Sequence, residues 1–473
     1  MPRLPAPSNS TNPPRSGGGL LAPPPHRPLL PEDRVRELYP WYRWRALEAT
    51  FFGYAIFYLV RNNLSVVAKD MEAALGYDKS MVGNILAVTA ISYGVSKFIM
   101  GAVSDRSDPR KFMAIGLFLS AVVNLAFGSV ANYYVHLLLW GVNGFIQGMG
   151  WPPCGRVMSH WFSESERGLT FSIWNTSHNL GGGIAGFLTA WATSYFGGWQ
   201  YAFYVPAVVA LCGSVYLFCR LRDTPQSVGL PSIERYRNDF PVGAVGGIDG
   251  ERELTTFELL FEKVLNNRFV WLLALANFFA YITRYSMLDW GPTYLREVKG
   301  ASLNDGGVAV LLLEFGGIPS TIALGWLSDR IGGRRGMVAA LSMIPIFLAF
   351  LSVLYTPQGY LRWDMAMLVV VGFFIYPVIN LIVIAALDVV SKKAIGTAAG
   401  FIGLFGYVGR TVQAKGFGYI AQTYSETHDK QHAWNIVLAL ILASAAISAV
   451  LLAGTWNVRT RPVASDEPPS SRE

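Results

Sequence analysis

Apolar residues along the chain are grouped into twelve segments of about twenty residues, separated by polar stretches. A helix of about this length can cross a hydrocarbon core of about 30 Å. The segments lack the alternation of apolar and polar residues that a transmembrane barrel requires, so helices are predicted. The predicted spans are 46–68, 80–103, 112–131, 135–157, 168–195 and 201–220, followed by 268–294, 307–327, 336–356, 364–388, 396–422 and 434–456.

Three polar regions frame these two sets of six spans. Residues 1–44 start with a stretch rich in Pro, Gly and Ser that has no apolar core, which is typical of a disordered tail rather than of a signal peptide. Residues 223–267 form a long internal polar segment, which we interpret as a linker between helical bundles at 45–222 and 268–457. Residues 458–473 are predicted to be a second tail. The pattern therefore predicts an all-α polytopic membrane protein.

The composition agrees with a membrane protein. The 473 residues are 52% hydrophobic and only 15% charged, whereas soluble domains carry about a quarter charged residues. The net charge of +7 does not indicate nucleic-acid binding, because the Lys and Arg residues lie mostly in short loops. The three cysteines lie in apolar segments, where packing is expected rather than disulfides or metal binding. No metal or cofactor is expected.

The positions of Lys and Arg predict the orientation of the chain. Alternate loops, the linker and the C-terminal tail carry most of these residues, and the opposite loops carry fewer. Both termini and the linker are therefore expected on the cytoplasmic side. The residues that carry this prediction are Arg106, Arg110, Lys111, Arg167, Arg222, Arg235, Arg237, Arg330, Arg334, Arg335, Lys392, Lys393, Arg459 and Arg461.

Two loops, each after the second span of its half, are almost alike. One starts at Gly101 and contains Asp105 and Arg106; the other starts at Gly325 and contains Asp329 and Arg330. They resemble the signature loop of the major facilitator superfamily. That resemblance implies two pseudo-symmetric six-helix bundles around a central path, and the Asp and Arg residues are expected to form ion pairs that break and re-form as the halves move.

Charged residues inside the predicted spans are costly and therefore informative. Arg61 in the first span and Arg284 in the seventh are separated by almost the same interval as the two loops. The repeat thus brings two guanidinium groups to similar depth from opposite halves, an arrangement that suits a tetrahedral oxyanion. Alternatively, each arginine reaches the membrane surface or pairs with a carboxylate, for which Asp289 is the candidate partner of Arg284.

Other charged residues in the spans leave alternatives open. Lys97 lies deep in the second span, and His178 in the fifth is expected either to contact an anion or to be a packing residue. Glu314 is expected either to balance the positive charge of the cavity when no substrate is bound or to pair with a residue of a neighbouring helix. Arg410 and Lys415 add positive charge in the eleventh span, where the alternative is contact with the membrane surface.

Several longer blocks carry a closer resemblance. They are 52–63, 93–101, 147–156, 174–179, 223–231, 284–295 and 396–400. These blocks resemble the organophosphate:inorganic phosphate antiporters, above all the bacterial glycerol-3-phosphate branch, with hexose-phosphate transporters and sensor relatives next. Nearly the whole chain is covered.

The resemblance implies a single central site that exchanges cytoplasmic phosphate for an external organophosphate as the halves rock. Residues matching Arg61 and Arg284 hold the phosphoryl group in that family, with Lys97 and His178 nearby. The other residues that the resemblance places along the path are Tyr54, Tyr58, Tyr93, Trp151, Trp174, Asn175, Tyr281, Tyr376 and Tyr407.

The chain departs from the glycerol-3-phosphate pattern at Arg410 and Lys415, because that branch has small neutral residues in this part of the helix. Hexose-phosphate relatives carry an acid–lysine pair nearby, whereas no acidic residue lies beside these two cations in the eleventh span. This unmatched positive charge predicts a preference for cargo with a second anion, such as a phosphoglycerate.

The leading hypothesis is a monomeric antiporter of a bacterial inner membrane, whose partners are organophosphate, phosphate and the lipid bilayer. A membrane sensor of external sugar phosphate that acts on a kinase is the alternative. A proton-coupled exporter of lipophilic drugs is disfavoured by the excess of cations in the spans. No Gly-rich sequence ending in Gly-Lys-Ser/Thr and no constellation for covalent chemistry is present, so an enzyme is not expected.

Overall fold

A computed structural model describes Gly19 and residues 21–104, 106–239, 265–389 and 395–458, except for the side chains at 98, 102, 164, 165, 167–169, 329, 387, 388 and 395–397. Most residues in these ranges are helical, and none of them is in a strand. The predictions for Asp105, Arg167, Lys392, Lys393, Arg459, Arg461 and the side chain of Asp329 lie outside the described residues, as do those for 1–18, 240–264 and 459–473.

The first half contains nine helices that form the first six spans. They are α1 (Glu32–Leu59), α2 (Leu64–Leu75), α3 (Lys79–Ser104), α4 (Pro109–Gly128), α5 (Tyr133–Gln147), α6 (Trp151–Trp161), α7 (Glu164–Asn175), α8 (Ser177–Phe196) and α9 (Tyr201–Arg220).

The described part of the linker contributes the short helix α10 (Ile233–Arg237), and the second half contributes the other six spans. These are α11 (Arg268–Asp289) with α12 (Gly291–Val298), α13 (Leu303–Arg330), α14 (Arg335–Tyr355), α15 (Leu361–Val389), α16 (Ile395–Thr427) and α17 (Lys430–Ala453). Helices therefore lie at all twelve predicted positions.

Six helices within the described ranges are individually long and apolar enough to cross a bilayer: Pro109–Gly128, Tyr201–Arg220, Leu303–Ser328, Arg335–Tyr355, Leu361–Ala386 and Lys430–Ala453. The other six spans are interrupted or carry charged residues. The interruptions lie between α1 and α2, between α5 and α6, at Thr176 between α7 and α8, and at Trp290 between α11 and α12. Pro152 and Pro292 stand in the first turns of α6 and α12, where the missing N–H of proline is tolerated.

The two halves touch through equivalent helix pairs, α3 with α16 and α8 with α13. Backbones approach closely there: a Cβ on Gly83 would lie 2.7 Å from the carbonyl oxygen of Ala414, and one on Gly307 would lie 2.6 Å from that of Gly186. Small residues allow such contact between membrane helices. The contacts run from the end remote from the linker to the middle of the spans, so the protein is closed at that remote end.

Ion pairs between the halves reinforce this closed end. Arg296 Nη1 lies 2.5 Å from Asp70 Oδ2, and Lys79 Nζ lies 3.1 Å from Glu297 Oε1. The acid comes from the first half in one pair and from the second half in the other. We name these two pairs the remote latch.

The prediction of a disordered tail over 1–44 is wrong for its last part, because α1 begins at Glu32. Acidic Glu32 and Asp33 favour a helix start, since they complement the positive end of the helix dipole. Tyr39 is fully buried, and its ring stacks on Tyr236 of α10 at 3.8 Å. The backbone N–H groups of Arg27 and Leu30 also donate to the linker, at Gln226 and Gly229, each at 2.9 Å. The end of the tail and the start of the linker thus pack together on the first half.

Candidate functional site

Arg61 lies in the interruption between α1 and α2, where the chain is not helical. Its guanidinium lies 3.8 Å from the ring centroid of Tyr58 and 5.0 Å from that of Tyr93. The residue is only 7% exposed. Among the described residues, Arg61 has no carboxylate partner, and its Nε has no hydrogen-bond partner. Arg61 is therefore buried away from the surface and forms no ion pair within the described ranges.

Arg284 in α11 has the same environment in the second half. Its guanidinium lies 4.4 Å from the ring of Tyr376 and 5.1 Å from that of Tyr285. It too is 7% exposed, and its Nε has no partner within the described part of the chain. Both arginines are thus held by aromatic faces, which attract a cation through the ring quadrupole.

His178 connects the two arginine environments. Its ring lies 6.0 Å from that of Tyr58 in the first half and 5.7 Å from that of Tyr376 in the second. Nδ1 donates to the carbonyl oxygen of Asn175, so in the neutral ring Nε2 is the unprotonated nitrogen. A continuous series of contacts therefore leads from Arg61 to Arg284 across the boundary between the halves.

Aromatic residues line the linker side of this group, and Lys97 lies among them. Its Nζ is 5.3 Å from the ring of Tyr407 and 5.7 Å from the rings of both Tyr93 and Trp151. The remaining contacts are Tyr54 stacked on Trp174 at 5.3 Å, Tyr54 against Tyr58 at 5.4 Å, Trp151 against Trp174 at 6.5 Å, Tyr93 against Tyr407 at 5.1 Å and Tyr281 against Tyr407 at 5.6 Å. The structure thus brings together the aromatic residues that the family resemblance placed along the central path.

Glu314 is fully buried at the boundary between the halves. Asn179 of α8 donates through Nδ2 to Glu314 Oε2 at 3.0 Å and to its backbone carbonyl at 3.1 Å. Glu314 Oε1 has no hydrogen-bond partner among the described residues. The sequence did not predict Asn179 as a site residue, because the sequence around an asparagine in an apolar span does not indicate which helix its side chain contacts.

Asp289 pairs with Arg410 and not with Arg284. Arg410 donates to both carboxylate oxygens, through Nη2 at 2.9 Å and Nε at 3.3 Å, and its guanidinium lies 4.0 Å from the ring of Tyr285. The prediction that Arg410 is an unmatched charge is therefore wrong. Its acid lies on another helix, 121 residues away in the sequence, so the eleventh span alone could not reveal it.

A small cavity lies between the halves on the remote side of Arg61. Its volume is about 10 Å³, roughly the space that one water needs. Asn62 and Ser65 of the first half and Asp289 and Arg410 of the second are among the lining residues. The carboxylate that Arg410 binds at this cavity is that of Asp289.

Three of the other selected residues lie apart from this group. Lys415 and Arg106 are exposed, and the guanidinium of Arg330 lies 4.7 Å from the ring of Trp326. Arg156 donates hydrogen bonds to the carbonyl oxygens of Ser104 and Ser107 in the first signature loop. Arg156 also forms an ion pair with Asp223 at 3.1 Å. No sequence pattern had singled out this contact.

Comparisons with known proteins agree with the fold. The family model described as Major Facilitator Superfamily matches residues 50–414. A structure of a bacterial homologue of the human lysosomal transporter Spinster, inward-facing and unoccupied, is similar with a TM-score of 0.71 and 14% identity, over 89% of this chain and 99% of that one. At this identity the similarity concerns the fold alone.

Sequence relatives are closer. A glycerol-3-phosphate transporter of Bacillus subtilis is 42% identical over 448 residues, which cover 93% of this chain and 98% of the relative. A probable hexose phosphate transport protein of Chlamydia trachomatis is 37% identical, over 93% and 96%. The membrane sensor protein UhpC of Salmonella typhimurium is 34% identical, over 92% and 96%. The chain therefore belongs to the Major Facilitator Superfamily, in the family that contains the glycerol-3-phosphate and hexose phosphate transporters, and it is a membrane transporter rather than an enzyme.

Proposed function

We propose that the protein exchanges an external organophosphate for cytoplasmic inorganic phosphate. One observation carries this proposal: Arg61 and Arg284, from opposite halves, are buried on either side of His178, and neither has a carboxylate partner among the described residues. Burying a charge is costly unless the charge is compensated. A phosphoryl dianion between the two guanidinium groups would supply that compensation through bidentate hydrogen bonds.

Exchange follows from the shared chemistry of the two cargoes. Inorganic phosphate and an organophosphate both present the phosphoryl oxygens that two arginines recognise. Either cargo would draw the halves together and bias the equilibrium between outward-open and inward-open forms. With the linker on the cytoplasmic side, as the distribution of Lys and Arg predicts, the structure corresponds to the inward-open form, because the remote end is closed.

The test uses purified protein in vesicles loaded with phosphate. Labelled phosphate should exchange against glycerol-3-phosphate, glucose-6-phosphate or a related monophosphate. Arg61→Lys and Arg284→Lys should each weaken apparent phosphate affinity about tenfold to hundredfold, because a lysine loses the bidentate fork. Arg334→Lys, on the linker-side surface, is the matched control and should exchange normally. Unchanged exchange in both site variants would contradict the proposal.

A sensor is the second candidate, since one relative bears that name and is 34% identical over almost the whole chain. The same arginines would then bind organophosphate without rapid turnover. Calorimetric binding of glucose-6-phosphate together with negligible phosphate exchange in the same preparation would favour the sensor over the transporter.

A further inference from the structure

Three arginines lie together where α1 and α9 meet near the linker: Arg45, Arg220 and Arg222. Arg45 Nη2 donates to the carbonyl oxygen of Cys219 at 2.5 Å, and Arg222 Nη1 donates to the same oxygen at 3.0 Å. Two guanidinium groups that share one acceptor atom lie only about 5 Å apart, so their like charges repel.

Nearby acids do not neutralise this pair. Glu48 already accepts from Arg220 at 2.6 Å and from Tyr216 at 2.7 Å, and Asp108 lies 3.5 Å from Arg110. Within the described part of the chain, neither Arg45 nor Arg222 has an ion pair with a carboxylate. Arg45 is 9% exposed, and its Nε has no hydrogen-bond partner there. The cluster therefore has an excess of positive charge and an unused buried donor.

The surroundings are those of a membrane surface. Trp41 and Trp44 on α1 are 46% and 65% exposed, and the guanidinium of Arg45 lies 4.7 Å from the ring of Trp41. Tryptophan is enriched at the boundary between lipid and water. Farther along α9, the exposed side chains of Val208, Val215 and Phe218 provide an apolar face.

We propose that Arg45 and Arg222 bind the phosphodiester of an anionic phospholipid. The headgroup would lie between the ends of α1 and α9, beside Trp41, and the acyl chains would lie along the exposed face of α9. Basic pockets between membrane helices bind anionic headgroups in this way. The competing interpretation is that the two arginines only cap the C-terminal carbonyl groups of α9 and need no lipid.

The experiment measures lipid retention on the intact purified protein by native mass spectrometry, with phosphatidylglycerol and phosphatidylcholine as probes. The wild-type protein should retain phosphatidylglycerol preferentially. Arg222→Gln should weaken that retention about fivefold, and Arg45→Gln combined with Arg222→Gln about thirtyfold. Arg334→Gln, which removes one surface charge near the linker side of the other half, should retain the lipid as the wild type does.

Thermal unfolding in detergent separates the lipid site from simple helix capping. Phosphatidylglycerol should raise the melting temperature of the wild type more than that of the double variant, while phosphatidylcholine should not. An equal increment in both proteins would overturn the proposal. Displacement of the lipid by millimolar inorganic phosphate would also overturn the proposal, because the cluster would then be a site for free anions.

Discussion

Arg61 and Arg284 illustrate how a binding residue can be kept charged and still be ready for a ligand. The aromatic faces compensate only part of the hydration free energy that each guanidinium loses on burial. A cation–π contact stabilises the charge, but it provides no acceptor for the N–H donors. The unpartnered Nε atoms are the visible sign of this incomplete compensation. A carboxylate at the same place would stabilise the empty protein and compete with the cargo.

Glu314 is a buried carboxylate close to this group that has no cation partner within the described part of the chain, and its removal tests the competition. Glu314→Gln keeps an acceptor for Asn179 but removes the negative charge, so a phosphoryl dianion would meet less repulsion. We expect phosphate affinity to rise about tenfold, which is 1.4 kcal/mol. Titration calorimetry on the purified protein measures this change. Glu314→Asp, which retains the charge, is the control, and a weaker affinity in Glu314→Gln would refute the expectation.

The buried pair of Arg410 and Asp289 should behave as one unit. Arg410→Met alone leaves Asp289 buried without a partner, which costs about 3–5 kcal/mol. Asp289→Leu combined with Arg410→Met removes both charges and should recover most of that loss. Thermal unfolding in detergent reports both changes, with Lys415→Met on the exposed face of α16 as the control. A double variant as unstable as the single one would show that the pair has another structural role.

At the scale of helices, the positions of the spans could be predicted because about twenty apolar residues in a row have few other uses. The interruptions at Asn63 and Thr176 could not be placed, because these are ordinary residues in a span, whereas Pro152 and Pro292 are local signals for the starts of α6 and α12. Repeat symmetry predicted similar depths for Arg61 and Arg284, and aromatic rings connect both residues to His178 in the structure. The symmetry could not predict which neighbouring helix the side chain of Arg410 in α16 faces. The partner of Arg410 was therefore missed. The start of α1 was missed because its stabilising contacts come from the linker, far away in the sequence.

The close crossing of α3 and α16 makes a prediction about gating. A Cβ on Gly418 would lie 2.5 Å from the carbonyl oxygen of Lys79 and 2.7 Å from the ring of Trp290, whereas one on Gly416 would meet nothing within 4 Å. Gly418→Ala should therefore separate the remote ends of the halves, and Gly416→Ala should not.

Spin labels on cysteines at Tyr134 and Tyr355 would measure that separation, in a background where the exposed Cys212 and Cys219 are replaced by serine. We expect a longer inter-label distance for Gly418→Ala than for the protein without this change. The same distance in both glycine variants would mean that the crossing tolerates the extra methyl group.

For the molecule as a whole, the remote latch sets how readily the remote end opens. Asp70→Asn should break one of its ion pairs and raise the population that is open at the remote end, because the opposing charge of Arg296 loses its partner. The energy is about 1 kcal/mol for a partly exposed pair, which is about a fivefold change in the equilibrium. The same spin-label distance measures the population.

A charge exchange provides the control for this prediction. Asp70→Arg combined with Arg296→Asp restores an attractive pair and should return the distance distribution towards that of the wild type. If the exchanged pair opens as much as the single variant, the contact between Asp70 and Arg296 is not what holds this end closed.

The interruptions at 148–150 and Thr176 bracket α6 and α7, which follow each other directly in the chain and carry Trp151, Trp174 and Asn175. The backbone leaves this helical hairpin through two non-helical points, about which it can tilt once the contacts of Arg156 with Ser104, Ser107 and Asp223 are released. A guest that contacts the hairpin could pull it inward before the remote end separates. The transport cycle would then include a form sealed on both sides, reached by bending within one half before the two halves turn against each other.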